Sequence, residues 1–442
     1  MATTDEVFGI RTQLVLSYVE RDEVDLRFRE SLASDHHIVV YGSSKQGKTS
    51  LRQKHLPDNE CLIVRCGPRM SIEGLYQSIL RQSGARIQTI ETRTLGATAG
   101  GKVTTGFKAR IPFLGGGKAE VEASGQASGQ QALSTEFVAY DFGDAQSISE
   151  LLTQLKFKKR IVLENYHYLP PDTQRALAFD LKTFHEIGIR FLILGIWKEA
   201  NLLVTHNGDL QDRIIEIPIE PWTDEAFDGV ALAGSTHLNV TIAPALLKVL
   251  KHNAYGNVGL FQEFLKHLCL EHGVTQTQAN GAPMVLAEQS ALDRTIAAKL
   301  VSQRSALLKG FQGIAAKSRV RRGEAEQVLL LPYYLVQVVL GMDLEKLQDG
   351  VERAQLLDML RRAHHRQDKE TIRGSDVTNL LTKLPKYQAE MSPPLFYYDA
   401  NSMRLRIVDS RIFFVLSNAD RELLAEEVPM PEVDAREPEG SD

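Results

Sequence analysis

The sequence predicts an α/β protein: a parallel sheet covered on both faces, a helical region after it, and a winged-helix-like module towards the C-terminal end. Three observations carry this. Short apolar runs alternate with amphipathic helices over residues 1–225. A glycine-rich loop stands where the first of those runs gives way to a helix. From about residue 222 the apolar spacing turns helical, until a hairpin pattern appears near residue 400.

The strand candidates are HHIVVYG (36–42), CLIVRCG (61–67), RIVLEN (160–165), RFLILGI (190–196) and IIEIPIE (214–220). Each is short, continuously apolar and rich in β-branched residues, as strands buried on both faces are. Helical stretches at 70–82 and 171–187 lie between them, so the connections are right-handed crossovers and the sheet is parallel. Residues 85–140 break the rhythm. They are rich in Gly, Ser, Ala and Thr and read as a β-hairpin insertion, either a solvated linker or a partner-contacting arm. Residues 226–320 read as a helical lid with linker helices. Residues 321–425 read as the winged-helix-like module, with LFYYD (395–399) and MRLRIVD (403–409) as its hairpin, and 426–442 as an acidic disordered tail.

Composition narrows the function classes. The 442 residues hold 51 Lys+Arg against 56 Asp+Glu, a net charge of -5, which argues against a wholesale nucleic-acid coat. Cys61, Cys66 and Cys269 have no ligand spacing, so neither a disulfide framework nor a zinc site is expected. The opening MATTDEVFGI lacks the basic and apolar regions of a signal peptide, and the apolar run at 328–341 is too short to span a bilayer. A cytoplasmic protein without a membrane partner is the expectation.

The chemistry is concentrated in Gly42-Ser43-Ser44-Lys45-Gln46-Gly47-Lys48-Thr49, which matches G-x-x-x-x-G-K-[ST] between strand and helix. The glycines let main-chain N–H groups turn inward around phosphates, and the helix beginning near Lys48 adds its positive end. This predicts an ATP site running through Ser50. Lys48 would reach the β- and γ-phosphates, and the Thr49 hydroxyl would ligate Mg²⁺. The partner acid is expected at the end of a buried strand, where Ile161-Val162-Leu163 leads to Glu164 and Asn165. Glu164 fits the metal-supporting acid. Asn165 stands where a catalytic acid is usual, and an amide orients water without accepting its proton, which predicts slow hydrolysis. The alternative makes Glu164 the base, with the metal held by Thr49 and waters. His167 is a further proton acceptor, or a packed histidine.

Tyr18-Val19-Glu20-Arg21, about twenty residues before the loop, resembles the element that opens STAND and origin-recognition-like AAA+ ATPases. The resemblance spans residues 15–275. It implies a P-loop ATPase core with a helical lid, adenine contacts from Tyr18, Val19 and Arg21, and a polar γ-phosphate sensor near Lys198. It also implies a finger at Arg213 reaching a neighbouring copy, though Arg213 equally reads as a surface residue paired with Asp209 or Asp212. Gly256-Asn257-Val258-Gly259-Leu260 resembles the lid motif, with Val258 in place of Pro and Gly259 where many lids carry a sensor arginine.

Two functions remain open from sequence. One is an ATP-dependent switch, self-assembling and licensing a separate effector, with anti-phage defence implied by the STAND resemblance alone. The other is a DNA-acting AAA+ ATPase, a transposition regulator or loader, that binds duplex through residues 375–383 and two basic clusters. These are Lys317, Arg319, Arg321 and Arg322, and then Arg361, Arg362, His364, His365 and Arg366.

Overall fold

The computed structural model describes residues 1–89, 106–110, 137–141, 143–197, 202–279, 281–317, 329–365, 369–389, 391, 393–400 and 402–431. The five predicted strands form one sheet: β1 (His37–Tyr41), β2 (Cys61–Arg65), β3 (Arg160–Glu164), β4 (Phe191–Gly195) and β5 (Ile214–Pro218). Their spatial order is β2-β3-β4-β1-β5, and every neighbouring pair is parallel. The unbroken apolar runs have a simple cause. Val39, Leu163 and Ile193 face one layer of helices, while Ile38, Val40, Val162, Leu192 and Leu194 face the other. A strand covered on both sides has no solvent face to alternate with.

Helix α1 (Lys48–His55) follows β1 directly and packs Leu51 into the second layer. Because all five strands are parallel, their C-terminal ends lie at one edge of the sheet. Loop 42–47 and Glu164 both sit at that edge.

Beyond the sheet, α2 (Val258–Glu271) and the long α3 (Gln289–Ala315) belong to a helical region. This region and the C-terminal module share one hydrophobic core, in which Phe264 and Phe414 meet edge to face at 5.2 Å and Phe311 stacks on Phe396 at 6.1 Å. The module runs from helix Leu331–Leu340 through Val351–Glu352, Arg353–Ala363, α4 (Gly374–Tyr387), Phe396–Asp399 and Arg404–Ile407 to α5 (Arg411–Asn418). Its three strands are antiparallel, with Arg404–Ile407 in the middle.

Three features differ from the sequence reading. The first residues, assigned there to the ATPase core, pack with the lid. The Thr4 hydroxyl donates to the Val274 carbonyl (2.8 Å), and Val7 and Phe8 join the lid's core. Within 85–140, the backbone at Arg86–Thr89, Gly106–Arg110 and Phe137–Asp141 pairs as a three-stranded antiparallel sheet, and the rest lies outside the described residues. The presumed tail begins too early, because Val428 is buried; residues 432–442 lie outside the described residues. Among the described residues no helix is long and apolar enough to cross a membrane.

Candidate functional site

Loop 42–47 is bent by backbone conformations that few side chains tolerate. Gly47 has φ 85° and Lys45 φ 60°, both left-handed, and Gly42 has φ 149°. A Cβ on Gly42 would also lie 2.6 Å from Ile219 Cγ2, so glycine is required there twice over. The loop feeds α1, whose N-terminus has no side-chain cap. The first-turn N–H groups of α1 are therefore left for a ligand or solvent.

Residues 44–50 line a cleft of about 350 Å³ with Glu164, Asn165, His167, Gly195, Val258, Gly259 and Gln262. Gly42 and Ser43 lie behind this wall. There the Glu220 carboxylate accepts from the Ser43 N–H (2.8 Å) and from Gln46 Nε2 (2.6 Å), fixing the turn from beneath. Lys48 folds back over its own loop, donating from Nζ to the carbonyls of Gly42 (2.9 Å) and Ser43 (2.6 Å). Burial pushes its ammonium down to about 8, since those bonds go to neutral carbonyls. Thr49 and Ser50 also face the cleft.

The lid sits directly on the loop. The Gly259 N–H donates to the Lys45 carbonyl (2.9 Å), and Asn257 Nδ2 donates to the Ser44 carbonyl (3.0 Å). Lys45 Nζ bonds Glu263 Oε1 at 2.6 Å, and Lys299 engages the other oxygen of Glu263. Asn257 Nδ2 also reaches the Ser410 hydroxyl (2.8 Å), so a single carboxamide joins the loop to the C-terminal module. Gly259 is explained by this docking: a Cβ there would lie 2.5 Å from Lys45 Cβ. The approach is too close for any longer side chain, including the arginine that the lid resemblance implies.

The acidic side of the cleft departs from expectation. Glu164 Oε1 accepts from Arg52 Nη2 (3.2 Å), and Oε2 faces Arg65 Nε (3.5 Å). Arg52 projects from α1 and is buried; its Nη1 is paired with Asp58. The predicted metal role of Glu164 is therefore corrected. Thr49 alone offers a free oxygen in the cleft, and a carboxylate already neutralised by two guanidinium groups does not fit a cation's shell. Among the described residues no group of three His, Cys, Asp or Glu is placed to hold a metal.

Asn165 is exposed at the cleft with φ 59°, opening a short turn at Tyr166–Tyr168. Asparagine adopts this left-handed backbone more readily than glutamate, so the local turn accounts for its identity as well as any chemistry does. Both ring nitrogens of His167 are buried without a partner. Burial and the nearby Lys48 push its imidazole down to about 4, keeping it neutral.

Tyr18, Val19 and Arg21 do not line the cleft, which corrects their predicted adenine contacts. The Tyr18 hydroxyl donates to Asp25 Oδ1 (2.5 Å), an oxygen that also meets His55 Nε2 (2.7 Å) at the far end of α1. Arg21 donates to the Ile219 carbonyl (2.7 Å) and lies 3.9 Å over the Trp222 ring, two contacts that hold a half-buried cation in place. Val19 packs on Gly229. The cleft's outer wall is instead made by Phe8, Gly9, Ile10, Arg11, Gln13 and Val15, which carry no motif.

Arg213 stands before β5, at the sheet edge opposite the loop, and bonds the Asp209 carbonyl (2.5 Å) and Glu186 (3.5 Å). From there, contact with a triphosphate requires a second copy of the chain. Lys198 lies outside the described residues.

Of the two basic clusters, Arg319, Arg321, Arg322 and Arg366 also lie outside. Arg361 donates to the Ile372 carbonyl (2.9 Å) and His365 Nδ1 pairs with the Tyr334 hydroxyl (2.5 Å), so that part of the second cluster closes its own fold.

No family model matches the chain, and no curated protein matches it. Among solved structures it is similar to a Walker-type ATPase of Pyrococcus abyssi, at 14% identity and a TM-score of 0.48, over 93% of this chain and 99% of that one. It is also similar to the ORC1 protein of Aeropyrum pernix, solved in complex with DNA (11% identity, TM-score 0.40, 94% of each chain). A third similarity is to Cdc6p of Pyrobaculum aerophilum (12% identity, TM-score 0.39, 96% of this chain and 99% of that one). At such identities, function rests on the site's own residues.

Proposed function

We propose that the chain binds ATP in the cleft beneath the lid, hydrolyses it slowly, and uses its nucleotide state to control the hold of the lid and C-terminal module on the loop. The observation that carries the proposal is the loop itself. An uncapped helix N-terminus, left-handed turns at positions 45 and 47, and the buried Lys48 converge on one cleft. Main-chain N–H groups and a lysine in that arrangement suit a polyphosphate. The base would lie against the wall formed by residues 8–15. Slow turnover follows from Asn165, which orients water without taking its proton, and from a Glu164 already held by two arginines. Switching follows from Asn257, since movement of Ser44 on phosphate binding is felt directly at Ser410.

The test is ATP binding by the full chain and by Lys48→Ala, followed with a fluorescent ATP analogue. Loss of one charge-assisted contact predicts an affinity about 10- to 100-fold weaker. Unchanged affinity in the variant refutes the site.

A DNA-acting role is the second reading. It is favoured by the C-terminal module, whose helices and three-stranded hairpin sheet follow a winged-helix-like order, with Asn379, Thr382, Lys383 and Lys386 on the exposed face of α4. Its phosphate-contacting surface is reduced by the internal bonds of Arg361 and His365.

A further inference from the structure

We infer that Arg52 and Arg65 take over the charge-balancing part of a divalent cation at this site, so that the triphosphate is bound with little dependence on Mg²⁺. The inference rests on the ATP reading above and goes beyond it, because it names which ionic form of the nucleotide the cleft selects.

Glu164 is the one carboxylate lining the cleft among the described residues. A cation-binding phosphate site relies on such an acid, directly or through water, to counter the metal's charge. Here one oxygen lies 3.2 Å from Arg52 Nη2 and the other 3.5 Å from Arg65 Nε. The Arg52 side chain is 2% exposed, so its guanidinium is a fixed charge rather than a surface cation free to swing away. It leaves α1 four residues after Lys48, on the helix that carries the loop, and so keeps its place relative to the phosphate position.

The surrounding groups point the same way. Asn165, at the usual place of a second acid, is neutral. His167 is neutral and has two buried ring nitrogens without partners. Lys48 bonds only carbonyls. The cleft thus offers cationic and neutral donors and no uncompensated negative charge. A fully ionised triphosphate is matched by such a set, whereas its magnesium complex brings two positive charges beside two guanidinium groups.

The experiment is a calorimetric titration of ATP into the full-length chain, once in excess Mg²⁺ and once in EDTA. The dissociation constants should agree within about 3-fold. Arg65→Gln removes an exposed side chain, so folding is not at stake, and it frees one Glu164 oxygen. In that variant the affinity in EDTA should fall several-fold below that in Mg²⁺. Wild-type binding that weakens about 10-fold or more on metal removal overturns the inference, as does an Arg65→Gln variant indifferent to the metal. Absence of ATP binding under both conditions overturns the ATP reading itself, a result distinct from either.

Discussion

Gly259→Ala tests the docking of lid on loop most directly. An added Cβ would stand 2.5 Å from Lys45 Cβ and 2.8 Å from the Lys45 carbonyl oxygen, both parts of the loop that cannot rotate aside. Carbon contacts are comfortable from about 3.5 Å, so the start of α2 must retreat by roughly 0.7–1 Å. That movement stretches the Gly259 N–H bond to the Lys45 carbonyl, now 2.9 Å, beyond useful length. Its loss costs about 1 kcal/mol, and the overpacking about 1–3 kcal/mol. Replacing glycine in a helix returns at most about 1 kcal/mol, leaving a net destabilisation of about 1–3 kcal/mol. Gly313→Ala is the control. It too lies in a helix, but its Cβ would meet only the Met391 methyl at 3.2 Å, the far end of a flexible chain, so it should be neutral or slightly stabilising. Thermal unfolding reads both, with hydrogen exchange over residues 44–46 and 256–262 locating the change. If Gly259→Ala melts with Gly313→Ala and protects those amides equally well, the lid does not rest on the loop in solution.

Two further outcomes are expected. Burial holds the Lys48 ammonium near 8 in the free cleft, and a bound polyanion favours its charged form, so binding takes up a proton above that pH. ATP affinity should be flat below pH 8 and fall about 10-fold per unit above it; titrations giving equal affinity up to about pH 9.5 contradict the placement of Lys48. The switch reading also predicts no binding of random duplex DNA by the ATP-loaded chain at low salt. Tight binding with a steep salt dependence, measured by fluorescence anisotropy at two ionic strengths, would favour the DNA-acting reading instead.

The loop was legible because its requirements are local. Eight consecutive residues supply the glycines, the lysine and the helix start, and the strand before it is marked by apolarity on both faces. Glu164 was legible for the same reason, as the end of a buried run. Its chemistry was not. Arg52 lies 112 positions away and reads in isolation as an ordinary polar residue of an amphipathic helix. Tyr18 and Arg21 were misplaced because a short charged segment gives no sign of which neighbour it will meet. Asp25, Ile219 and Trp222 claim it only once the chain is folded.

By itself, then, the amino-acid order determined the parallel sheet and the phosphate-binding turn, since backbone conformation and face-by-face burial are written in neighbouring residues. Tertiary structure alone decided what surrounds that turn: a lid resting on it through Asn257 and Gly259, a wall from residues 8–15, and two arginines on the acid. The physical reason is range. Hydrogen bonds and ion pairs between residues more than a hundred positions apart leave no periodicity in the chain, and they exist only where packing of the two layers brings their partners within about 3 Å.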